Sequence, residues 1–376
     1  MKDLNVRTFV FAGGGTGGHI YPGLAVCDEL RKIASSKNEK IRICWIGNSS
    51  GMDRELVEKS GSADLFYGVP SGKLRRYFSF QNFLDIFKIL AGFVKSFFFL
   101  LKTKPDVLFS KGGFVSVPPC AAAHFLHIKT FTHECDFTPG LATRINSRFA
   151  SKILVSYDET KKYFSAEKQN KIIVTGNPVR PVFYSADAEN GRKFLFEKRA
   201  DYDSSKPVLL VLGGSLGAHQ INSLVAENLD WLVSRFNVVH QCGARDDGKM
   251  PKNVSGYFLY PFIYSEMPDV IAAADVVLSR AGANSIWECS VLGKPMVLVP
   301  LCGEGTRGDQ VDNAEYFAKS GAAEVLLGKE AGSENLKKTL EKFLDEKTRS
   351  AFAAASRKLS EGKNPARKIA EIIYDV

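Results

Sequence analysis

Short apolar runs alternate with helical patterns along almost the whole chain, and this alternation limits the possible folds more than any other feature. Five β-branched runs lie in the first half, at residues 7–12, 41–47, 106–110, 128–132 and 153–156. Five more follow, at residues 207–212, 237–241, 257–260, 275–279 and 295–300. Apolar runs separated by helices are typical of parallel sheets. The sequence therefore predicts an α/β protein built twice on one plan.

The two halves also open in the same way. The first begins Val10-Phe-Ala-Gly-Gly-Gly-Thr-Gly-Gly-His19, and the second begins Val211-Leu-Gly-Gly-Ser-Leu-Gly-Ala-His219. Each is a strand, a glycine turn and a helix. A chain of 376 residues is too long for one ordinary core, and Gly176-Asn-Pro178 interrupts regular structure after a strand predicted at residues 172–175. We therefore expect one domain at 1–178 and another at 179–357.

Composition and charge indicate the cellular compartment and the kind of partner. The seven cysteines are scattered and form no C-x-x-C pair, which favours a reducing cytoplasm over a disulfide framework or a zinc ribbon. The N-terminus shows no signal-peptide pattern. The net charge is +9, but no nucleic-acid-binding module is recognisable. Residues 71–104 hold seven basic residues against the single acidic Asp85, beside the most apolar stretch of the chain. This placement favours an anionic membrane surface as partner over nucleic acid.

That apolar stretch predicts a helix lying at a membrane interface. One helical face carries Phe83, Phe87, Leu90, Val94, Phe97 and Leu101, and a separate stripe carries Lys88, Lys95 and Lys102. Three charges and a length of about 19 residues argue against a spanning helix. We expect the aromatic side chains to enter the bilayer while the lysines, with Lys73, Arg75 and Arg76, meet anionic headgroups. The alternative is a fully buried helix whose lysine stems pass along apolar surface to water.

The first glycine loop has the form of an anion-binding turn. Residues 13–18 match G-x-G-x-x-G and open a helix, whose N-terminus favours negative charge. A dinucleotide site also needs an acidic residue at the end of the second strand, but that strand ends in Gly47-Asn48. A nicotinamide-dependent oxidoreductase is therefore disfavoured. His19 lies at the helix start, where the dipole keeps imidazole neutral and suited to a general base. The alternative role for His19 is packing or capping at the turn.

The second half carries two further loops of interest. Residues 279–288 follow a strand and open a helix, so that backbone N–H groups can meet a diphosphate while Glu288 accepts from ribose hydroxyls. Ser285 and Glu288 also have the spacing of a capping box, which would serve the helix alone. Residues 306–313 gather polar side chains suited to sugar hydroxyls. Asp201 and Asp203 are interpreted as a polar loop. No metal site is expected, and His124, His127 and His133 are not taken as a zinc site.

Seven segments together resemble the MurG family of lipid-linked peptidoglycan N-acetylglucosaminyltransferases. They are residues 13–23, 111–116, 133–134, 176–180, 213–215, 279–288 and 308–313, in the expected order. The resemblance covers nearly the whole chain. It implies a GT-B fold, in which two Rossmann-like domains with parallel sheets face each other across a cleft. It places the acceptor and the membrane surface on the first domain, UDP-GlcNAc on the second, and the last helix, 358–376, back on the first.

The resemblance also implies an activity. Members transfer GlcNAc from UDP-GlcNAc, with inversion, to the C4 hydroxyl of MurNAc in undecaprenyl-diphosphoryl-MurNAc-pentapeptide (lipid I), which gives lipid II for peptidoglycan. No cofactor is expected. The implied location is peripheral, on the cytoplasmic face of the inner membrane, with cell-wall synthesis or division proteins as candidate partners.

Site residues follow from the same resemblance, position by position. His19 corresponds to the general base, and Thr16, Gly17 and Gly18 to the loop at the acceptor diphosphate and the reaction centre. Asp136 stands where many relatives have asparagine, as a hydrogen-bond acceptor for a sugar hydroxyl or a second base. The expected UDP-GlcNAc contacts also include Arg180, Ser215, Ile263, Ser285, Glu288, Asp309, Gln310 and Asn313.

Three other functions fit parts of the pattern. A GT-B diacylglycerol glycosyltransferase would share the donor motifs and the basic apolar surface, but not necessarily the loop that ends in His19. A UDP-sugar epimerase needs no membrane surface and should require additional carboxylates. A non-catalytic nucleotide-binding protein would bind the donor without turnover.

Overall fold

The computed structural model describes residues 6–72, 80–213, 217–303 and 306–376. Its contacts divide the chain into two compact units. The first unit consists of the residues up to Arg180 together with Lys363–Val376, and the second unit consists of Pro181–Gly362. The chain thus passes between the units close to Gly176-Asn-Pro178, two residues after the boundary predicted above.

The first unit is built on a seven-stranded parallel sheet. Its strands are β1 Val6–Gly13, β2 Lys40–Asn48, β3 Leu65–Val69, β4 Val107–Gly112, β5 Lys129–Glu134, β6 Lys152–Val155 and β7 Ile172–Val174. They lie in the order β3-β2-β1-β4-β5-β6-β7. The five predicted strands of the first half are confirmed, as is the strand predicted at residues 172–175, which is β7, whereas β3 was not predicted.

Helices cover both faces of this sheet. They are α1 Gly17–Ser36, α2 Asp53–Ser60, α3 Phe80–Thr103, α4 Val117–Phe125, α5 Leu141–Asn146 and α6 Ala166–Gln169. Helix α1 packs closely on β2, since a Cβ atom on Gly23 would lie 2.6 Å from the Trp45 ring. The Trp45 indole in turn donates a hydrogen bond to the Gly13 carbonyl at 2.9 Å. Packing of α1 therefore fixes the strand end from which the glycine loop starts.

The second unit repeats the plan with six parallel strands. They are β8 Val208–Leu212, β9 Asn237–Gln241, β10 Tyr257–Tyr260, β11 Val276–Ser279, β12 Met296–Leu298 and β13 Ala323–Val325, in the order β10-β9-β8-β11-β12-β13. Its helices are α7 Ala188–Phe196, α8 His219–Glu227, α9 Leu229–Arg235, α10 Met267–Ala273, α11 Ala283–Val291, α12 Asp309–Lys319, α13 Ser333–Lys342 and α14 Glu346–Ser360. All five predicted strands are confirmed, and β13 is additional. The α/β fold class is thereby confirmed.

The last helix, α15 Pro365–Tyr374, belongs to the first unit and packs against α1. Its start is well defined, because the Asn364 side chain accepts from the Arg367 N–H at 3.0 Å and Pro365 occupies the first helical position. Its apolar residues Ala366, Ile369, Ala370 and Ile373 follow helical spacing and are buried. The chain therefore ends on the unit in which it began.

Both sheets reverse their strand order at the central pair, β1 and β4 in the first unit and β8 and β11 in the second. The loops that leave neighbouring strands at such a point diverge and leave a crevice at the carboxyl end of the sheet, where ligands bind in α/β proteins. Each unit therefore offers one place where a site is expected.

Candidate active site

The glycine loop of the first unit leaves β1 at this crevice. Gly15 has a φ of 84°, a conformation that favours glycine. Thr16 is the exposed N-cap residue of α1, and its side chain makes no capping bond. Gly17 and Gly18 begin the helix, and His19 is its third residue, with its N–H bonded to the Thr16 carbonyl at 3.1 Å. The imidazole thus lies in the first turn, at the positive end of the helix dipole.

The buried carboxylate of Asp53, the first residue of α2, holds the glycine loop in place. Asp53 accepts from the Gly15 N–H at 2.9 and 3.0 Å and from the Asn48 N–H at 2.8 Å. Burial raises the pKa of this carboxyl group, and the two backbone donors lower it in part. Sequence reasoning missed Asp53, because nothing near it in the chain indicates a partner 38 residues away.

The loop after β4 provides the surface on which His19 rests. Gly112 and Gly113 have φ values of 86° and 75°. A Cβ atom on Gly113 would lie 2.8 Å from His19 Cδ2, and one on Gly112 would lie 3.8 Å from His19 Nδ1. The imidazole therefore packs directly against glycine backbone, and any side chain at Gly113 would displace it.

The segment Gly176–Arg180 adjoins the same end of the sheet. The buried His133 side chain at the end of β5 bonds through Nε2 to the Gly176 carbonyl at 3.0 Å. Burial holds the pKa of His133 well below its usual value, and the positive charge of Lys111 lowers it further. Arg180 lies over the Tyr21 ring, with its Cζ 4.9 Å from the ring centroid. Arg180 is thereby brought beside α1, the helix that carries His19.

Asp136 follows β5 and is half-buried. The carboxylate of its neighbour Glu134 accepts from the Asp136 N–H at 3.1 Å and from the Gly140 N–H at 2.9 Å. Ligand atoms of Glu134, Cys135 and Asp136 lie within 4.8 Å of one another. Backbone donors bond to both oxygens of Glu134, so this side chain shapes the turn after β5.

In the second unit, the predicted donor loop after β11 leads into α11. The helix begins at Ala283 with Gly282 as its N-cap. Ser285 is therefore its third residue and Glu288 lies in its second turn, both half-buried. The capping-box alternative is wrong, because a capping box requires Ser285 itself to be the N-cap. Ser215, in the other predicted phosphate loop, lies outside the described residues.

The polar residues after β12 have distinct surroundings. Asp309 opens α12 and pairs with Arg307 at 2.8 Å. The Gln310 side chain accepts from the Leu301 N–H at 2.9 Å. Asn313 is fully buried and donates to the Ala281 carbonyl at 3.2 Å, so in this structure it supports the β11 loop from behind. Ile263 is buried as well, and its N–H donates to the Gln241 side chain at 2.8 Å.

Helix α3 exposes a continuous apolar face, which we call the α3 apolar face. It consists of Phe83, Ile86, Phe87, Leu90, Val94, Phe98 and Leu101, of which Phe98 is 64% exposed. A fully buried helix is excluded by this exposure. Phe97, predicted to share the face, is instead partly buried against the core. Lys88 pairs with the buried Asp85 at 3.1 Å. Lys95 is exposed, whereas Lys73, Arg75 and Arg76 lie outside the described residues.

Within the part of the chain that is described, no helix combines the length and the apolar character needed to cross a bilayer.

Residues 201–203 were interpreted as a polar loop. In the structure the Asp203 carboxylate accepts from the Ser205 N–H and hydroxyl at 3.0 and 2.6 Å, which agrees with that interpretation.

Comparison with known proteins shows what this chain is similar to. Residues 9–155 match the glycosyltransferase family 28 N-terminal domain, and residues 208–373 match the C-terminal domain of the same family. A protein of Treponema denticola named UDP-N-acetylglucosamine--N-acetylmuramyl-(pentapeptide) pyrophosphoryl-undecaprenol N-acetylglucosamine transferase is 54% identical over 342 residues, which cover 86% of this chain and 85% of that protein. A protein of the same name from Clostridium perfringens is 40% identical over 97% of both chains.

Solved structures agree at the level of the fold. The crystal structure of Acinetobacter baumannii MurG has a TM-score of 0.74 at 24% identity and covers 98% of this chain and 100% of its own. UDP-GlcNAc 2-epimerase from Neisseria meningitidis, bound to UDP-GlcNAc, has a TM-score of 0.64 at 16% identity, with 98% of each chain covered. Together with the two parallel sheets, these likenesses show the GT-B fold. At such low identity the epimerase shares the architecture alone.

Proposed function

This chain belongs to the family 28 N-acetylglucosamine transferases represented by the Treponema and Clostridium relatives, and we propose that it forms lipid II from lipid I. The donor is UDP-GlcNAc, and the acceptor is the C4 hydroxyl of MurNAc in undecaprenyl-diphosphoryl-MurNAc-pentapeptide. The observation that carries the proposal is 54% identity over 86% of the chain to a transferase of this name.

In the proposed step the C4 oxygen attacks the anomeric carbon of GlcNAc, the bond to UDP breaks with inversion, and the hydroxyl proton passes to His19. Two features support His19 as the base. Its place in the first turn of α1 disfavours imidazolium, and Gly112 and Gly113 fix its ring. Asp136, half-buried after β5, is proposed as an acceptor for a sugar hydroxyl or a second base. Thr16, Gly17 and Gly18 are proposed to contact the substrates at the reaction centre.

Charge develops on the departing UDP diphosphate. Arg180, held over Tyr21, is proposed to stabilise that charge together with the N-terminus of α11 and the Ser215 loop. Ser285 and Glu288 are proposed to meet the donor from α11, with Glu288 on the ribose and Ile263 beside the uracil. For GlcNAc we propose contacts from Asp309 and Gln310. Asn313 is proposed to act by holding the β11 loop, because it is fully buried.

The acceptor is held in a bilayer, so the enzyme must reach one. We propose that the α3 apolar face lies in the interface on the cytoplasmic side of the inner membrane, with Lys88 and Lys95 near anionic headgroups. Proteins of cell-wall synthesis or division are proposed partners there. The aromatic exposure of this helix supports the assignment, because large apolar patches on soluble proteins mark interaction sites.

The acceptor assay tests the function. Purified full-length protein is incubated with labelled UDP-GlcNAc and either a lipid I analogue or diacylglycerol. We expect label on the lipid I analogue. Label on diacylglycerol alone would show the diacylglycerol transferase instead, and a 2-epimerised UDP-sugar formed without acceptor would show an epimerase. UDP-GlcNAc binding without any turnover would show a non-catalytic nucleotide-binding protein.

A further inference from the structure

Lys111, the residue before Gly112, is buried in an unusual way. Only 1% of its surface is exposed, and among the described residues its Nζ atom has no hydrogen-bond partner. Burying an ammonium group without a partner opposes folding, so lysine is normally found inside proteins only when it is paired. A methionine would fill the same volume without this cost. The lysine therefore calls for an explanation beyond packing.

The position of Lys111 indicates what its positive charge does. A Cβ atom on Gly13 would lie 3.4 Å from Lys111 Cβ, so the side chain begins beside Gly13, where the glycine loop starts. Lys111 is the extra residue at the irregularity where β4 pairs with β1, since Ala12 pairs with Ser110 and Gly13 with Gly112. It thus lies at the carboxyl end of the central strand pair, directly before the glycines that support His19.

The surroundings are positive and contain a second unsatisfied group. His133 is buried and feels the Lys111 charge, and its Nδ1 atom lacks a hydrogen-bond partner in the described part of the chain. Helix α1, 20 residues long, starts at the same loop and adds the positive end of its dipole. The buried carboxylate of Asp53 is already engaged by backbone N–H groups. Asp53 thus offsets part of the dipole of α1, whereas none of the described residues gives the Lys111 ammonium group a hydrogen-bonded anion.

We propose that Lys111 supplies a fixed positive charge that, with the N-terminus of α1, holds the diphosphate of the lipid-linked acceptor. This inference rests on the proposed function for the identity of the ligand. Lys111 is a binding residue in this account, and it lowers the stability of the empty protein in exchange for affinity. Because its ammonium group is buried, Lys111 acts on a bound diphosphate through its charge and not through a direct hydrogen bond.

Lys111→Met separates this role from simple packing, because the two predict opposite results. If Lys111 binds diphosphate, the neutral variant melts at a higher temperature, binds inorganic diphosphate at least tenfold more weakly by calorimetry, and shows a KM for the lipid I analogue raised by a similar factor. The Kd for UDP should change less than twofold, which assigns the effect to the acceptor diphosphate and not to that of the donor. Lys152→Met, which removes an exposed lysine from the start of β6, is the matched control and should change none of these values.

A lower melting temperature with unchanged diphosphate affinity would overturn the proposal, and so would a loss confined to UDP. If Lys111→Met fails to fold, hydrogen exchange on the wild-type chain decides. Diphosphate should protect residues 13–19 and 110–114, and protection confined to the second unit would contradict the assignment. If the wild type transfers GlcNAc to lipid I and Lys111→Met does so with unchanged KM and diphosphate affinity, this inference alone is refuted. Failure of transfer to lipid I, with Lys111-dependent diphosphate binding intact, would refute the proposed acceptor alone.

Discussion

Asp53 bonds through both carboxylate oxygens to the backbone N–H of Gly15, 38 residues earlier in the chain. The contact leaves no room for a side chain beside it, since a Cβ atom on Gly14 would lie 1.8 Å from Asp53 Oδ2. The glycine loop therefore takes its shape from a carboxylate at the start of α2 as well as from its own glycines.

This relationship predicts a strong coupling between Gly14 and Asp53. Asp53→Ala leaves buried N–H groups unsatisfied and should lower the free energy of unfolding by about 1–3 kcal/mol. Gly14→Ala should be costly in the wild type, where it collides with the carboxylate, and much cheaper once Asp53 is alanine. Urea unfolding of the two single variants and the double variant measures the coupling. Additive effects would show that the carboxylate does not hold the loop.

Gly113 should be essential for turnover and dispensable for donor binding. The Cβ atom of alanine at this position would lie 2.8 Å from His19 Cδ2, so the imidazole must shift, and a misplacement of about 1 Å at a catalytic group costs about a hundredfold in rate. We expect Gly113→Ala to lower kcat by that order with the Kd for UDP-GlcNAc unchanged, measured by initial rates and calorimetry.

Gly61→Ala is the control for Gly113→Ala, because Gly61 also has a positive φ but open space around it. It should lose some stability and keep full activity. Equal losses of activity in the two variants would attribute the effect to backbone strain and not to His19.

The sequence alone was sufficient to predict the two parallel sheets and the glycine loops, but not the side-chain contacts that hold these loops in place. The central strands are apolar and flanked by glycine turns, so their pattern is unambiguous. Edge strands β3 and β13 were missed because Leu65–Val69 contains a glycine and Ala323–Val325 has only three residues. Asp53 and the burial of Lys111 depend on contacts between distant segments, which no local pattern records.

Local patterns also misled in two places. Ser285 and Glu288 have capping-box spacing, yet the helix begins two residues before Ser285, at Ala283. Phe97 was placed on the exposed face by its spacing, but packing of α3 partly buries it and exposes Phe98. The first error concerns the residue at which a helix begins, and the second concerns which side of a helix faces the core. Neither is fixed by local spacing alone.

The α3 apolar face should bind anionic membranes. Phe83 and Phe87 are both more than half exposed, and each buried aromatic side chain contributes about 1.5–3 kcal/mol. The double variant with serine at both positions should therefore pellet at least tenfold less with vesicles that contain anionic lipid. Phe194→Ser, at an exposed phenylalanine of the second unit, should pellet like the wild type. Equal pelleting of all three proteins would contradict a membrane role for α3.

Acid should destabilise the second unit through His240. Burial lowers the pKa of His240 to about 4, where it bonds to Tyr257 and Asn222. The unfolded chain takes up this proton near its ordinary pKa of about 6.5, so the stabilisation is present above that pH and is lost as the pH falls towards 4.

The loss expected from His240 is up to about 1.4 kcal/mol per pH unit. His240→Gln should be less stable than the wild type at pH 7 but should show a shallower decline from pH 6.5 to 4.5, measured by urea unfolding. An unchanged slope would show that His240 is not the group that titrates.

The role of His19 is the most direct test of the account as a whole. We measure initial rates of GlcNAc transfer to a lipid I analogue by the wild type and by His19→Ala, at saturating UDP-GlcNAc, together with the Kd of each for UDP-GlcNAc. A general base at this position predicts a fall in kcat of about 10²–10⁴-fold with donor affinity unchanged. Full turnover by His19→Ala would contradict the claim that the glycine loop presents the catalytic base.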